Sequence, residues 1–216
     1  MTYIYPLHKL PEEKAAFAGG KAKSLSHMMK NTKIRIPGGY VILSCAFEGK
    51  HLCGEALGEL GELINNLDGN ATYAIRSSAL NEDGEEASFA GQYETVTDVR
   101  KGAMKEAVLK VAKSVESDTV AAYAKNRNQG EADISIANPK EEYECGIGIV
   151  IQRFVRAKYA GVLFTADAIT GRDDKMVGNY VRGEGEKLVS GEENAEVFSI
   201  GAIRSPNPLI PKTRSS

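Results

Sequence analysis

Apolar residues fall into separate blocks along the chain, some at helical spacing and some at strand spacing. Ala22, Leu25, Met28 and Met29 share one face of a helix that Gly19-Gly20-Lys21 opens and Pro37-Gly38-Gly39 closes off. Leu57, Leu60, Leu63, Ile64 and Leu67 form a second helical stripe, ended by Asp68-Gly69-Asn70. Met104, Ala107, Val108, Val111 and Val115 mark a long helical pattern over 102–127, with a break expected at 114–119. Strand runs are predicted at 40–43, 73–78, 93–99, 146–155, 161–165, 175–181 and 196–202. The 146–155 run is rich in β-branched residues and reads as a buried strand.

The remaining stretches read as connections. Residues 1–18 predict an extended entry and a short polar turn, and 79–92 a long polar loop. Residues 128–142 read as a surface connector, 167–174 as a turn and 183–191 as a loop. The end, 206–216, carries three prolines and no core pattern, so it reads as a connector. Helices and strands mix without strict βαβ alternation, which predicts an α+β fold.

Composition narrows the class. The chain has 216 residues, 42% hydrophobic and 26% charged, the balance of an ordinary soluble globular protein. A net charge of -2 supplies no global field for nucleic acid or an anionic membrane. The three cysteines, Cys45, Cys53 and Cys145, are too sparse for a disulfide framework or a zinc site and suit a reducing, cytoplasmic setting. No apolar run reaches the roughly 20 residues of a membrane span. The three histidines, His8, His27 and His51, stand alone, with no metal-ligand spacing and no nucleophile beside them, so no metal ligands are assigned.

Chemistry concentrates in the glycine-containing segments. Gly19-Gly20-Lys21 lets backbone approach a ligand at a helix start and places a cation there; its alternative is a glycine turn with a solvated lysine. Arg76 sits in an apolar strand and calls for an anionic partner, either a phosphate or one of Glu82, Asp83, Glu85 and Glu86. The segment Ser88-Phe89-Ala90-Gly91-Gln92 could fold backbone N–H groups over a polyphosphate or be a flexible hairpin tip. Gln152, Arg153 and Phe154 end an internal strand whose backbone could read the edge of an adenine. Neither a Walker A loop nor a dinucleotide fingerprint is present: position 22 is Ala, and position 188 is Leu.

The order of these segments is more specific than any one of them. Gly-Gly-Lys-Ala-Lys-Ser-Leu at 19–25 precedes Ile-Pro-Gly-Gly-Tyr at 36–40, Ile-Arg-Ser-Ser-Ala at 75–79 and Ala-Ser-Phe-Ala-Gly-Gln at 87–92. Val-Ile-Gln-Arg-Phe-Val at 150–155, Ala-Gly-Val-Leu-Phe-Thr-Ala-Asp at 160–167 and Gly-Glu-Gly-Glu-Lys-Leu-Val-Ser-Gly at 183–191 follow. This series resembles the N-terminal nucleotide-binding domain of the phosphoenolpyruvate synthase and pyruvate phosphate dikinase family, to which rifampicin phosphotransferases are related.

The resemblance implies an ATP-grasp-like domain binding ATP and Mg2+, with about 1–150 as the first lobe and about 151–216 as the start of a second. It implies a phosphotransferase that passes a phosphoryl group from ATP to a histidine on a mobile domain and then to pyruvate on a third. Lys21 and Arg76 would then be the catalytic cations on the phosphates. Ser88, Ala90 and Gly91 would lie over the triphosphate, Gln152, Arg153 and Phe154 near the adenine, and Glu186 near the nucleotide. Two departures stand out: Glu184 replaces the family's leucine, and the acidic-strand and Gln-x-Arg-Pro motifs are absent before Ser216. These predict a C-terminally truncated domain that is inactive alone. The alternatives are a small-molecule kinase of the rifampicin phosphotransferase type and a degenerate, non-catalytic binding module.

Overall fold

A computed structural model of the chain describes residues 1–49, 51–80, 95–114, 147–166, 170–171, 174–191 and 194–201. The chain divides into two units, Met1–Val155 and Arg156–Ser216. Both are mixed helix and antiparallel sheet, an α+β composition. None of the helices among the described residues is long and apolar enough to cross a membrane.

The first unit is built on a five-stranded antiparallel sheet of β1 (Ile4–Pro6), β2 (Gly39–Ile42), β5 (Thr72–Ala79), β6 (Thr95–Arg100) and β7 (Ile147–Arg153). The order is β1-β2-β7-β5-β6, which puts the β-branched run at the centre. A two-stranded ribbon, β3 (Phe47–Glu48) with β4 (His51–Leu52), follows β2. Because side chains alternate along a strand, β7 serves two cores. Ile147, Ile149 and Ile151 enter one core with Ile75, Leu60 of helix α2 (Gly54–Asn66), and Met104 and Val108 of helix α3 (Met104–Ser114). Val150 enters the other with Val41, Leu7, Leu10 and Ala22 of helix α1 (Gly20–Asn31). Residues 115–146 and 81–94 lie outside the described residues, and with them the expected continuation of α3, its break and the expected 79–92 loop from position 81 onward; Ala79 itself ends β5.

Four expectations are corrected. Residues 1–18 are more than an extended entry and a short polar turn: the extended part is β1, paired with β2, and 3-10 turns at Leu7–Lys9 and Glu12–Phe17 follow it. Leu7, Leu10 and Ala18 are wholly buried. Three strand residues are too few to show a period, so sequence alone did not reveal the strand. Met28 is not on the buried face of α1, which is Ala22, Leu25, Ser26 and Met29. Leu57 is likewise exposed, and Ala56 takes the inward position on α2. Finally, the 183–191 segment is not all loop but holds a short helix, described below.

Polar groups fasten the N-terminal strand. The Glu59 carboxylate on α2 accepts N–H bonds from Tyr3 and Ile4, the closest at 3.0 Å. The Tyr3 hydroxyl is bonded to the Cys53 thiol; this bond first, then burial, pushes its pKa up to about 12. Burial, reinforced by the neighbouring Asp68 carboxylate, also raises the pKa of Tyr73.

The second unit is a three-stranded antiparallel sheet of β8 (Tyr159–Phe164), β9 (Lys175–Arg182) and β10 (Glu196–Gly201), in the order β10-β9-β8. The short helix α4 (Glu186–Ser190) follows β9, stopped by Gly191 in the left-handed conformation. Tyr180 packs edge-on to Tyr159 and tilted against Phe198. Its hydroxyl donates to Glu196, which raises the tyrosine pKa.

Glycine positions separate two effects that substitution can read. An added Cβ at Gly58 on α2 meets nothing, so Gly58→Ala is expected to stabilise the chain by up to about 1 kcal/mol. At Gly148 the same atom would sit 2.5 Å from the Ala18 carbonyl oxygen. Gly148→Ala should therefore destabilise by about 1–3 kcal/mol, and urea denaturation midpoints moving in the same direction would contradict this packing. The tyrosines set a pH dependence. A folded-state pKa above the ordinary 10.0 contributes stability below that pH, which is lost as pH rises through about 12. Melting temperature should fall over this interval, and Tyr3→Phe should flatten the slope.

Candidate functional site

Helix α1 begins without a cap of its own. Its N-cap residue is Gly19, at φ +80°, which has no side chain to accept an orphan N–H. The acceptor comes instead from β5: Ser78 Oγ takes the N–H of Ala22, in the first turn, at 3.1 Å in a buried setting. A Cβ at Gly19 would lie 2.0 Å from the Ser78 carbonyl oxygen, so only glycine fits between helix and strand. Opposite Ser78 in the β5–β7 register stands Gly148, the residue that admits Ala18. The helix start thus rests on one rung of the sheet that carries a hydroxyl on one strand and no side chain on the other.

The next rung on that face is Arg76 opposite Val150. With Gly20, Lys21, Ser24, Leu25 and Met28 from α1, this pair lines a pocket of about 400 Å³. Positions 21, 24, 25 and 28 recur at helical spacing and form one wall, which is why Met28 faces the recess rather than the core. The cost expected for a desolvated Arg76 does not arise, because its side chain is exposed at the pocket mouth. Its four suggested carboxylate partners, Glu82, Asp83, Glu85 and Glu86, lie outside the described residues. Lys21 is half-buried. Two cations and a hydroxyl beside Leu25, Met28 and Val150 suit a ligand that is polyanionic at one end and apolar at the other.

The other candidate residues are placed as follows. Gln152 is buried, and its Nε2 donates to the Pro37 carbonyl at 2.9 Å. The Arg153 N–H donates to Gly38 and the Phe154 N–H to Thr72, each at 2.8 Å, so both amides are committed to the sheet. The Arg153 guanidinium pairs with Asp68 at 3.5 Å. None of these three lines the pocket. Ser88, Ala90 and Gly91 lie outside the described residues. Glu186 is the exposed first residue of α4, in the second unit. Sequence reasoning missed Ser24, Met28 and Val150 as lining and Ser78 as the cap. The one available signal was that the glycine before α1 has no capping side chain, which asks for an acceptor from elsewhere.

Comparison with known proteins adds to this geometry. The family model described as pyruvate phosphate dikinase, AMP/ATP-binding domain, matches residues 50–213, which include Arg76 and Val150 but not α1. The chain is 31% identical over 205 residues to a prodigiosin synthesizing transferase of Serratia marcescens, covering 83% of this chain and 22% of that one. It is 33% identical over 146 residues to a phosphoenolpyruvate synthase of Aeropyrum pernix, covering 68% of this chain and 16% of the relative. A rifampicin phosphotransferase of Streptomyces sviceus is 25% identical over 238 residues, covering 92% and 26%. The chain spans about a quarter or less of the length of these relatives.

The seat of α1 generates its own expectation. Gly19→Ala adds a clash to a left-handed φ, whereas Gly49→Ala, at φ +60° in open space, adds only the latter. Gly49→Ala should cost about 1 kcal/mol and Gly19→Ala about 2–3 kcal/mol or more in chemical denaturation. Equal costs would mean that α1 does not press on β5.

Proposed function

Because the chain belongs to the pyruvate phosphate dikinase AMP/ATP-binding domain family, we infer that its pocket holds the phosphates of ATP for phosphoryl transfer. The observation that carries this reading is the convergence of Lys21, at the start of α1, and Arg76, on β5, around one recess. In the role proposed for them, the two side chains neutralise phosphate charge and fix the triphosphate's direction. Positioning and charge neutralisation are the main demands of phosphoryl transfer on a protein. The ATP-grasp assignment is part of the proposal, with Met1–Val155 as one lobe and Arg156–Ser216 contributing to the other. Cytoplasmic location belongs to it as well, supported by a sparse, irregularly spaced set of three cysteines, Cys45, Cys53 and Cys145.

Magnesium enters this reading as the companion of the triphosphate. The polar groups lining the pocket, Lys21, Ser24 and Arg76, do not fit a protein-held Mg2+, which takes oxygen ligands and is bound through carboxylates. No step is assigned to a metal held by these residues. The phosphoryl acceptor proposed is a histidine of a separate domain and then pyruvate, as the likeness to phosphoenolpyruvate synthases suggests. A second reading keeps the nucleotide site and changes the acceptor. It is favoured by the likeness to a rifampicin phosphotransferase and a prodigiosin synthesizing transferase, whose names imply other acceptors.

Titration calorimetry with MgATP tests the nucleotide site. Lys21→Ala and Arg76→Ala should each weaken binding by about ten- to a hundredfold, the worth of one charge-assisted contact. Affinity should also fall with added salt. Absence of binding, or affinities indifferent to both substitutions, would overturn the reading.

A further inference from the structure

We infer that Ser78 is a positioning residue for the nucleotide pocket: its hydroxyl seats the first turn of α1 and so sets where Lys21 stands relative to Arg76. The inference rests on the reading of Lys21 and Arg76 as phosphate-holding cations, and it concerns a residue that touches neither the pocket nor its ligand. Ser78 is wholly buried and does not line the recess. Its Oγ accepts the N–H of Ala22, the residue directly after Lys21. It lies two positions beyond Arg76 on β5, so its side chain emerges on the same face of the sheet, one rung away. Arg76 is thus tied to the seat through the strand, and Lys21 through the helix.

Nothing else on the helix replaces this contact. Gly19 offers no side chain, and the first intrahelical bond, from the Lys23 N–H to the Gly19 carbonyl at 3.0 Å, leaves the Ala22 N–H to Ser78. Ser78→Ala therefore strands a buried donor, and the first turn must shift or fray to hydrate it. Arg76 stays where β5 and its register to β7 hold it, while Lys21 loses its fixed approach. The loss of binding should pass through the lysine and not the arginine.

A double-mutant cycle on the 216-residue chain, read by MgATP titration, separates that route from a general loss of structure. Ser78→Ala should weaken MgATP binding by about tenfold, the cost of a lost cap. The weakening should largely vanish when Lys21→Ala is already present and persist in full over Arg76→Ala. If Ser78→Ala does not fold, Ser78→Cys, close in shape but a poor acceptor, carries the same cycle. Equal losses in both backgrounds, or no loss in the single variant, overturn the inference. A different pattern marks failure of the nucleotide reading itself: no MgATP binding by the parent, or none of its affinity sensitive to Lys21→Ala and Arg76→Ala.

Discussion

The contact between Ser78 Oγ and the Ala22 N–H ties the helix to the sheet beside the pocket that Lys21 of the helix and Arg76 of the sheet both line. It is possible only because two backbone positions carry no Cβ. Gly19 yields to the Ser78 carbonyl and Gly148 to the Ala18 carbonyl, and in each case a methyl group would fall inside van der Waals distance. Close backbone approach of this kind removes the adaptability that a side-chain interface would have. The helix start has one place to rest, and the groups on its first two turns inherit that definition.

A single buried face could not have produced this arrangement. The central strand β7 is buried along almost all of its length, and its alternate residues feed two separate clusters. Helices α2 and α3 cover one face with aliphatic and methionine side chains; α1 covers part of the other and leaves the remainder open beside Arg76 and Val150. Arg76 is cheap to keep at an open rim because water still reaches it, and it lines the same recess as the half-buried Lys21. Partial cover therefore suits a pocket better than a complete second layer would.

The N-terminal segment has a structural part in this. Leu7, Leu10 and Ala18 fill the cluster under α1, and the Lys30 ammonium donates to the Leu10 carbonyl at 2.6 Å. β1 is an edge strand of three residues, too short to persist on its ladder bonds alone. Glu59 on α2 compensates by accepting the backbone N–H groups of Ile4 and of Tyr3 just before the strand, which also occupies donors that an exposed edge would offer to another chain. Helices on opposite faces of the sheet are in this way joined through one short strand and its turns.

Spacing and residue type determined much of this chain. The α1, α2 and α3 stripes, the buried β7 run and the α+β class were all legible, because periodicity reports burial and glycine with lysine reports a helix start. The order of motifs carried the family. What periodicity could not resolve was anything shorter than its own repeat: β1, the 3-10 turns and α4. It also could not separate neighbouring faces of one helix: Met28 shares a stripe with Ala22 and Met29 but lines the pocket wall. The fate of Arg76 turned on whether another element covers that rung of β5, and the role of Ser78 on a donor lying far away in the chain. Those are properties of which segments meet. Packing decided them, since a hydroxyl gains meaning as a cap only when an uncapped helix is laid against it.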